Sequence, residues 1–521
     1  MNKFLSHNGY FGKPIFNSLF YNDSFMNNRI KISQLLDKVT TGEEAAKLFK
    51  DKMIVGTSGF TKAGDSKVVL PALAERAKKE PLKITLISGA SLGHDTDAKL
   101  TEAKVLHKRM PFQVDKTLRT AINKGEVLFT DQHLSETAEL VHGGYIGDID
   151  IAIIEVAAIE EDGSLIPTTS VGNSVSFAAL AKQIILEVNI SIPESIKGVH
   201  DIFLPENYPH RNYIPVIAPG VRVGRTTIPV DPEKIVAIVF TDIQDSPADI
   251  AVPDEKTIAI SQHLTRFFEE EVKAGRLTDR LLPLQAGIGK VANAVLTGFK
   301  DSNFYDLTMY SEVLQDSTFE LIDSGKLQFA SASSITVSKE CYQKVMDNLD
   351  TYREKILLRP QNLSNSPGII RRLGVIAINT ALEFDIYGNV NSTHVSGTHI
   401  MNGIGGSGDF ARNSYLSVFV CQAASKSNRL SHVVPMVPHV DHNEHDVDIL
   451  VTDQGYADLR GLAPRERAVT IIENCAHPDY KEALLDYFNR AGEVRGGQTP
   501  HILSEAFTWH IRYLETGSMK S

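Results

Sequence analysis

The chain has 521 residues, too many for one hydrophobic core, so roughly two to four domains are expected. A hydrophobic fraction of 42%, a charged fraction of 22% and a net charge of -11 describe a globular protein with no nucleic-acid or anionic-membrane partner. Three cysteines without CxxC spacing (Cys341, Cys421, Cys475) exclude a disulfide framework, and no run approaches the roughly 18 apolar residues of a membrane span.

In chain order, residues 1–25 come first as an extension. It holds Lys3 and Lys13, has no acid before Asp23, and lacks the continuous apolar segment of a secretory signal. It reads as a loosely packed tail or as a transit peptide, with Met26 as an alternative start. The expected compartment is therefore the cytoplasm, or the mitochondrial matrix if the extension is a transit peptide. Helical spacing follows over 43–50, then a turn at Gly59 and a helix-like stretch over 66–74. Strand-like runs cover 84–89 and 149–159. The Pro- and Gly-rich stretch 215–232 is the natural linker. Beyond it come a helix over 262–274, a glycine turn at Gly287 and Gly289, a helix over 291–299 and a strand over 304–309. A strand over 415–420 and a helix over 480–491 complete the pattern. Helices alternating with buried strands predict parallel sheets with covering helices.

The order of elements repeats. Ile151-Ala152-Ile153 stands against Ile376-Ala377-Ile378 at an offset of 225, and Gly163, Leu165, Thr168 and Gly172 stand against Gly388, Val390, Thr393 and Gly397. The run 84–89 matches 307–312 in the same order. Duplication predicts two α/β halves, taken as 26–228 and 229–521. Glu312 stands where the first half has Gly89. One half would carry the chemistry and the other would shape a cleft at their junction.

Four segments carry candidate chemistry. Glu312 follows a strand and lies near a glycine turn whose N–H groups are free to bind an anion; the alternative is a cap for the next helix, with Ser311 as N-cap. The stretch Asn402-Gly403-Ile404-Gly405-Gly406-Ser407-Gly408-Asp409 has four glycines in six residues, which suits a loop lining a site or a flexible surface loop. It is neither a Walker A loop nor a framed dinucleotide fingerprint. His439, His442 and His445 invite a metal reading, but match no trusted ligand spacing and sit beside Pro435 and Pro438; a polar loop and no metal is expected. Lys426, in Ser425-Lys426-Ser427-Asn428-Arg429, reads as surface charge or as a receiver of phosphate.

Together these segments resemble the acetyl-CoA hydrolase/transferase family, a branch of the class I CoA-transferases. The likeness covers about residues 30–520 and is most specific over 281–480. It rests on Leu281-Leu282-Pro283-Leu284-Gln285-Ala286-Gly287-Ile288-Gly289, Ser311-Glu312-Val313-Leu314-Gln315-Asp316 and Ser364-Asn365-Ser366-Pro367-Gly368. It continues through Asp385-Ile386-Tyr387-Gly388-Asn389, the glycine loop, Val451-Thr452-Asp453-Gln454-Gly455-Tyr456 and Cys475-Ala476-His477-Pro478.

The resemblance implies two tandem, topologically similar CoA-transferase (NagB-like) domains. It implies CoA transfer between acetyl-CoA or succinyl-CoA and a carboxylate such as acetate. Hydrolysis by the same glutamate with water is the alternative. It implies Glu312 as nucleophile, Asn365 orienting the reacting carboxylate, and Ile288 and Gly406 as backbone oxyanion donors. Gly287, Ile288, Gly289, Lys290, Val291, Leu382, Asn402, Gly406 and Lys426 would bind CoA. Coenzyme A would be a substrate with no further cofactor, and a homodimer is expected. Relatives commonly carry Asn where Lys290 stands, so a substrate preference is not copied from them. An ordinary carboxylate pKa of about 4.3 would leave Glu312 ionised at neutrality. Readings from other classes are a metal-dependent thioester hydrolase built on the three histidines and a non-catalytic CoA-binding protein.

Overall fold

A computed structural model of the protein describes residues 28–248 and 253–520. The extension 1–25 and Met26 lie outside the described residues.

The first sheet is built from β1 (Ile54–Thr57), β2 (Ile84–Ile87), β3 (Leu106–Met110), β4 (Leu128–Phe129), β5 (Ile151–Ile159), β6 (Leu165–Pro167), β7 (Gln183–Asn189) and β8 (Ile235–Thr241). Its order is β4-β3-β2-β1-β5-β7-β8, all parallel, with β6 folded back on β5 as a hairpin. All nine residues of β5 are buried, which is why its sequence is a nearly unbroken Ile/Ala/Val run instead of an alternating one.

The second sheet holds β9 (Leu284–Ala286), β10 (Leu307–Tyr310), β11 (Leu327–Ala332), β12 (Ile356–Leu358), β13 (Ile376–Thr380), β14 (Leu416–Val420), β15 (Ile449–Thr452) and β16 (Gly455–Asp458). Its order is β12-β11-β10-β9-β13-β14-β15-β16, parallel except for the last pair. The two sheets repeat one permutation. Ile151–Ile153 and Ile376–Ile378 occupy the same central place, each beside the first strand of its half. Gly163 and Gly388, paired in the repeat, both turn the chain with positive φ (83° and 96°).

The boundary differs from the sequence reading. Strand β8 lies beyond residue 228, yet pairs with β7 along its whole length. The first domain therefore runs through Thr241. The proline-rich stretch is a crossing within that domain, because its irregular composition does not reveal that the next apolar strand returns to the old sheet.

Covering helices follow local chemistry. Glu255–Lys273 begins at Asp254, whose side chain accepts from the Thr257 N–H, and ends with Lys273 in its last turn. It extends seven residues further toward its N-terminus than the pattern 262–274. Lys290–Gly298 starts directly after Gly289, at φ 131°. One apolar cluster runs through both halves, with Ile154 and Leu186 from the first and Leu284 and Ile378 from the second, so the domains share a core. No helix among the described residues is long and apolar enough to cross a membrane.

Candidate active site

In the second sheet β9 lies between β10 and β13, which is where the order of winding reverses and a crevice opens at the carboxyl ends of the strands. Gly287 and Ile288 leave β9 there, Ser311 and Glu312 leave β10, and Asn379 to Leu382 close β13. All but Ser311 line one cavity of about 200 Å³.

Glu312 is fixed from both sides. The Ser311 N–H donates to the Ser331 carbonyl at 2.8 Å, and the Ser333 and Ser334 N–H groups donate to the Glu312 carbonyl at 2.8 and 3.2 Å. The next helix, Asp316–Asp323, is capped by Gln315, so neither Ser311 nor Glu312 serves as a cap. Glu312 is 6% exposed, and its carboxyl group accepts from Asn365 Nδ2 at 2.9 Å. The Ser364 hydroxyl donates to Asn365 Oδ1 at 2.9 Å, which turns the amide nitrogen toward Glu312. Burial pushes the Glu312 carboxyl up to about 7, against the opposing pull of Asn365. The ordinary value expected from the sequence is corrected accordingly, since a strand end gives no sign of how dry its surroundings are.

The glycine loop closes over this group. A Cβ placed on Gly406 would lie 1.7 Å from Glu312 Oε1, so backbone alone fits. The loop runs straight into the helix Ser407–Asn413. Its grip comes from the first domain: Asp131 accepts from the Ile404 N–H at 2.8 Å, and Gln113 donates to the Asn402 carbonyl at 3.3 Å. Asn123 donates to the Ile400 carbonyl at 3.0 Å. Asp409, on that helix, receives the Ser135 N–H at 3.0 Å and hydroxyl at 2.6 Å, and lies 3.4 Å from Asn365 Nδ2. Burial raises Asp409 to about 7, and the neighbouring Glu312 charge adds to the rise.

Among the described residues, neither the Ile288 nor the Gly406 N–H donates to a protein acceptor. Gln315 Nε2 holds the Gly287 carbonyl at 3.1 Å, which stiffens the first of these donors. Phe60, Ala90, Phe112 and Leu134 from the first domain complete the wall, as expected for a half that shapes the cleft.

The other expected residues are less central. Leu382 and Asn402 line the cavity with Gly287, Ile288 and Gly406, and Gly289 lines the neighbouring one. The Val291 side chain packs on the core, leaving its N–H in the first helical turn. Lys290 is the first residue of that helix. Lys426 is exposed, unpaired among the described residues, and outside both linings. The three histidines diverge: His439 pairs with Asp441, His442 is buried against the Ser392 and Ser407 hydroxyls, and His445 is open to solvent. No cluster able to hold a metal ion occurs among the described residues. Reading the sequence alone missed Asp131, Asp409 and the first-domain wall; Asp131 meets Ile404 and Asp409 meets Ser135 across more than 270 positions, and such pairs leave no local signature.

Family models for the acetyl-CoA hydrolase/transferase N-terminal and C-terminal domains match residues 24–240 and 342–488. The chain belongs to the acetyl-CoA hydrolase/transferase family. It is 48% identical to a succinyl-CoA:acetate CoA-transferase of Clostridium kluyveri, over 94% of this chain and 92% of that one. It is 45% identical to an acetyl-CoA hydrolase of Candida glabrata, over 95% and 97%. In fold it is similar to RipA from Yersinia pestis, with a TM-score of 0.69 and 23% identity, covering 86% of this chain and 96% of that one. Members of one family thus carry names for transfer and for hydrolysis.

Proposed function

We propose that the protein moves coenzyme A between a short-chain acyl-CoA, acetyl-CoA or succinyl-CoA, and a free carboxylate such as acetate, with Glu312 as covalent carrier. The observation that carries this reading is the Glu312 carboxyl group, bonded by Asn365 and packed against Gly406, in a cavity whose lining also holds Ile288 and Gly406 with their N–H groups unengaged among the described residues.

A Glu312 oxygen attacks the thioester carbonyl and the C–S bond breaks, leaving a mixed anhydride and CoA thiolate. The thiolate attacks the glutamyl carbonyl, the anhydride C–O bond breaks, and the first acid leaves as carboxylate. A glutamyl-CoA thioester remains. A second carboxylate attacks that thioester and expels the thiolate, which then takes the new acyl group and frees Glu312. No net proton is consumed, and the thioester energy survives each exchange. Each tetrahedral stage puts negative charge on an oxygen, and the Ile288 and Gly406 N–H groups are the donors assigned to it. Each such donor contributes about 3 kcal/mol in comparable sites. The backbone of 287–291, with Leu382 and Asn402, would receive CoA, and Lys426 a phosphate farther out.

Incubation with acetyl-CoA and no acceptor should add the mass of CoA minus water to the Glu312 peptide, and acetate should clear it. Glu312→Ala should show neither adduct nor turnover. The adduct's decay without acceptor measures hydrolysis directly. Turnover without any adduct, or an adduct on a cysteine, would sink the mechanism.

A further inference from the structure

The bond between Glu312 and Asn365 is one of two rungs between the same chain segments. Two residues before Glu312, at the end of β10, the Tyr310 hydroxyl donates to the Leu363 carbonyl at 2.5 Å. Leu363 stands two residues before Asn365, whose Nδ2 donates to Glu312 at 2.9 Å. Ser311, between them, faces away and donates from its hydroxyl to the Ala286 carbonyl at 3.3 Å. That alternation is expected of extended chain, where residues two apart share a face. The segments are thus tied at 310 to 363 and again at 312 to 365.

The rungs differ in permanence. Tyr310 is fully buried, and burial pushes its phenol upward, so the hydroxyl stays a donor. Its ring belongs to the buried cluster that holds Leu363 and Phe410, the latter on the helix that follows Gly406. Other contacts hold the segment before Asn365: the Gln361 N–H donates to the Gly172 carbonyl at 2.9 Å, and the Gln361 side chain to the Leu134 carbonyl at 2.8 Å. Both of these lead to the first domain, whereas Tyr310 joins the segment to the strand that carries Glu312. The rung from Asn365 ends on a carboxyl oxygen that the proposed cycle converts to an anhydride and then to a thioester. An amide held by that bond alone would be released each time Glu312 is acylated.

We propose that Tyr310 is a positioning residue for the carrier: acting through the Leu363 carbonyl, its hydroxyl keeps Asn365 in place while Glu312 passes from carboxylate to anhydride to thioester and back. This rests on Glu312 being the CoA carrier. Tyr310 lies outside the cavity lining and touches no reacting atom. Loss of its hydroxyl is mild for the fold, because the Leu363 carbonyl also accepts from the Ser366 N–H at 3.0 Å. The buried carbonyl therefore keeps a partner.

The test is Tyr310→Phe, alone and in an Asn365→Ala background. Tyr342→Phe is the control, since it removes a buried tyrosine hydroxyl outside both cavity linings. Loading of Glu312 by acetyl-CoA and its discharge by acetate are followed by mass. Tyr310→Phe should slow both steps about tenfold to 100-fold and leave the KM for acetyl-CoA within about twofold. The acid limb of loading should also move to higher pH, by about 0.5 or more, because the Asn365 N–H favours the ionised carboxyl and a loosened amide favours it less. Tyr342→Phe should do neither. In the Asn365→Ala background Tyr310→Phe should slow the steps by less than about twofold, since the residue it acts through is gone. Full-rate loading by Tyr310→Phe, an unmoved pH limb, or losses that multiply in the double variant would overturn the assignment. So would a variant unfolded at the assay temperature, which would make the hydroxyl part of the fold instead. If the wild type never carries CoA on Glu312, the carrier mechanism falls and this inference with it, whereas normal loading of wild type and Tyr310→Phe alike removes this inference alone.

Discussion

Gly406 and Glu312 are in such close approach that the space for one additional carbon at residue 406 is already occupied by the carboxylate. Gly406→Ala should therefore displace Glu312 or the loop. A shift of about 1 Å in a reacting group costs on the order of 100-fold. The expected result is kcat reduced by about that factor or more, with the fold intact by circular dichroism. Near-normal kcat would show that the loop is freer than these contacts imply.

Activity should depend on pH through Glu312. Its folded pKa is raised to about 7, chiefly by burial, and in the proposed mechanism only the ionised form attacks. Acylation by acetyl-CoA should therefore fall as pH drops through about 7 and level off above it. Asp409 shares Asn365 with Glu312 and is also raised, so the two titrate as a pair and the limb is broader than that of a single acid. A rate still at its plateau at about pH 5 would contradict the burial seen here.

Asp131 acts on the site from the other domain by holding the Ile404 N–H. Asp131→Ala should loosen the loop that carries Gly406 and lower kcat by about tenfold to 100-fold, while the KM for acetate changes little. Asp131→Asn keeps an oxygen acceptor and should restore most of the rate. A loss that the amide does not rescue would mean that the charge, not the loop contact, matters.

The duplicated winding was legible because buried parallel strands are written as long apolar runs, and Ile151 and Ile376 stand at matching places in those runs. Glu312 was legible as a strand-end acid absent from the other half. Two things were not. Strand β8 could not be assigned to its sheet, because strand order is set by pairing across the chain. The raised pKa and the hold of Asp131 on the loop arise from side chains brought together only by domain packing, and one sequence contains no trace of such pairs.

Lys426 is exposed and unpaired among the described residues, and lies outside both cavities. If it meets a CoA phosphate, Lys426→Ala should raise the KM for acetyl-CoA and leave kcat nearly unchanged. Equal affinity of the wild type for CoA and dephospho-CoA would remove a role at the 3′-phosphate.

Glu312 should also cost the protein stability in proportion to its ionisation. A carboxyl whose folded pKa is raised keeps its proton in the folded chain while the unfolded chain releases it. Folding then loses free energy as pH rises from the unfolded value, about 4.3, through the folded one. With the folded value at about 7, the loss is on the order of 3 kcal/mol above that pH. Glu312→Gln removes the titration and keeps an oxygen to accept from Asn365. The variant should melt several degrees above wild type at about pH 8, and the advantage should shrink toward zero at about pH 4, below the unfolded value, where the carboxyl is mostly neutral in both states. A melting difference that is the same at both pH values would show that the substitution acts through packing, and that the carboxylate is better solvated than the residue's 6% exposure implies.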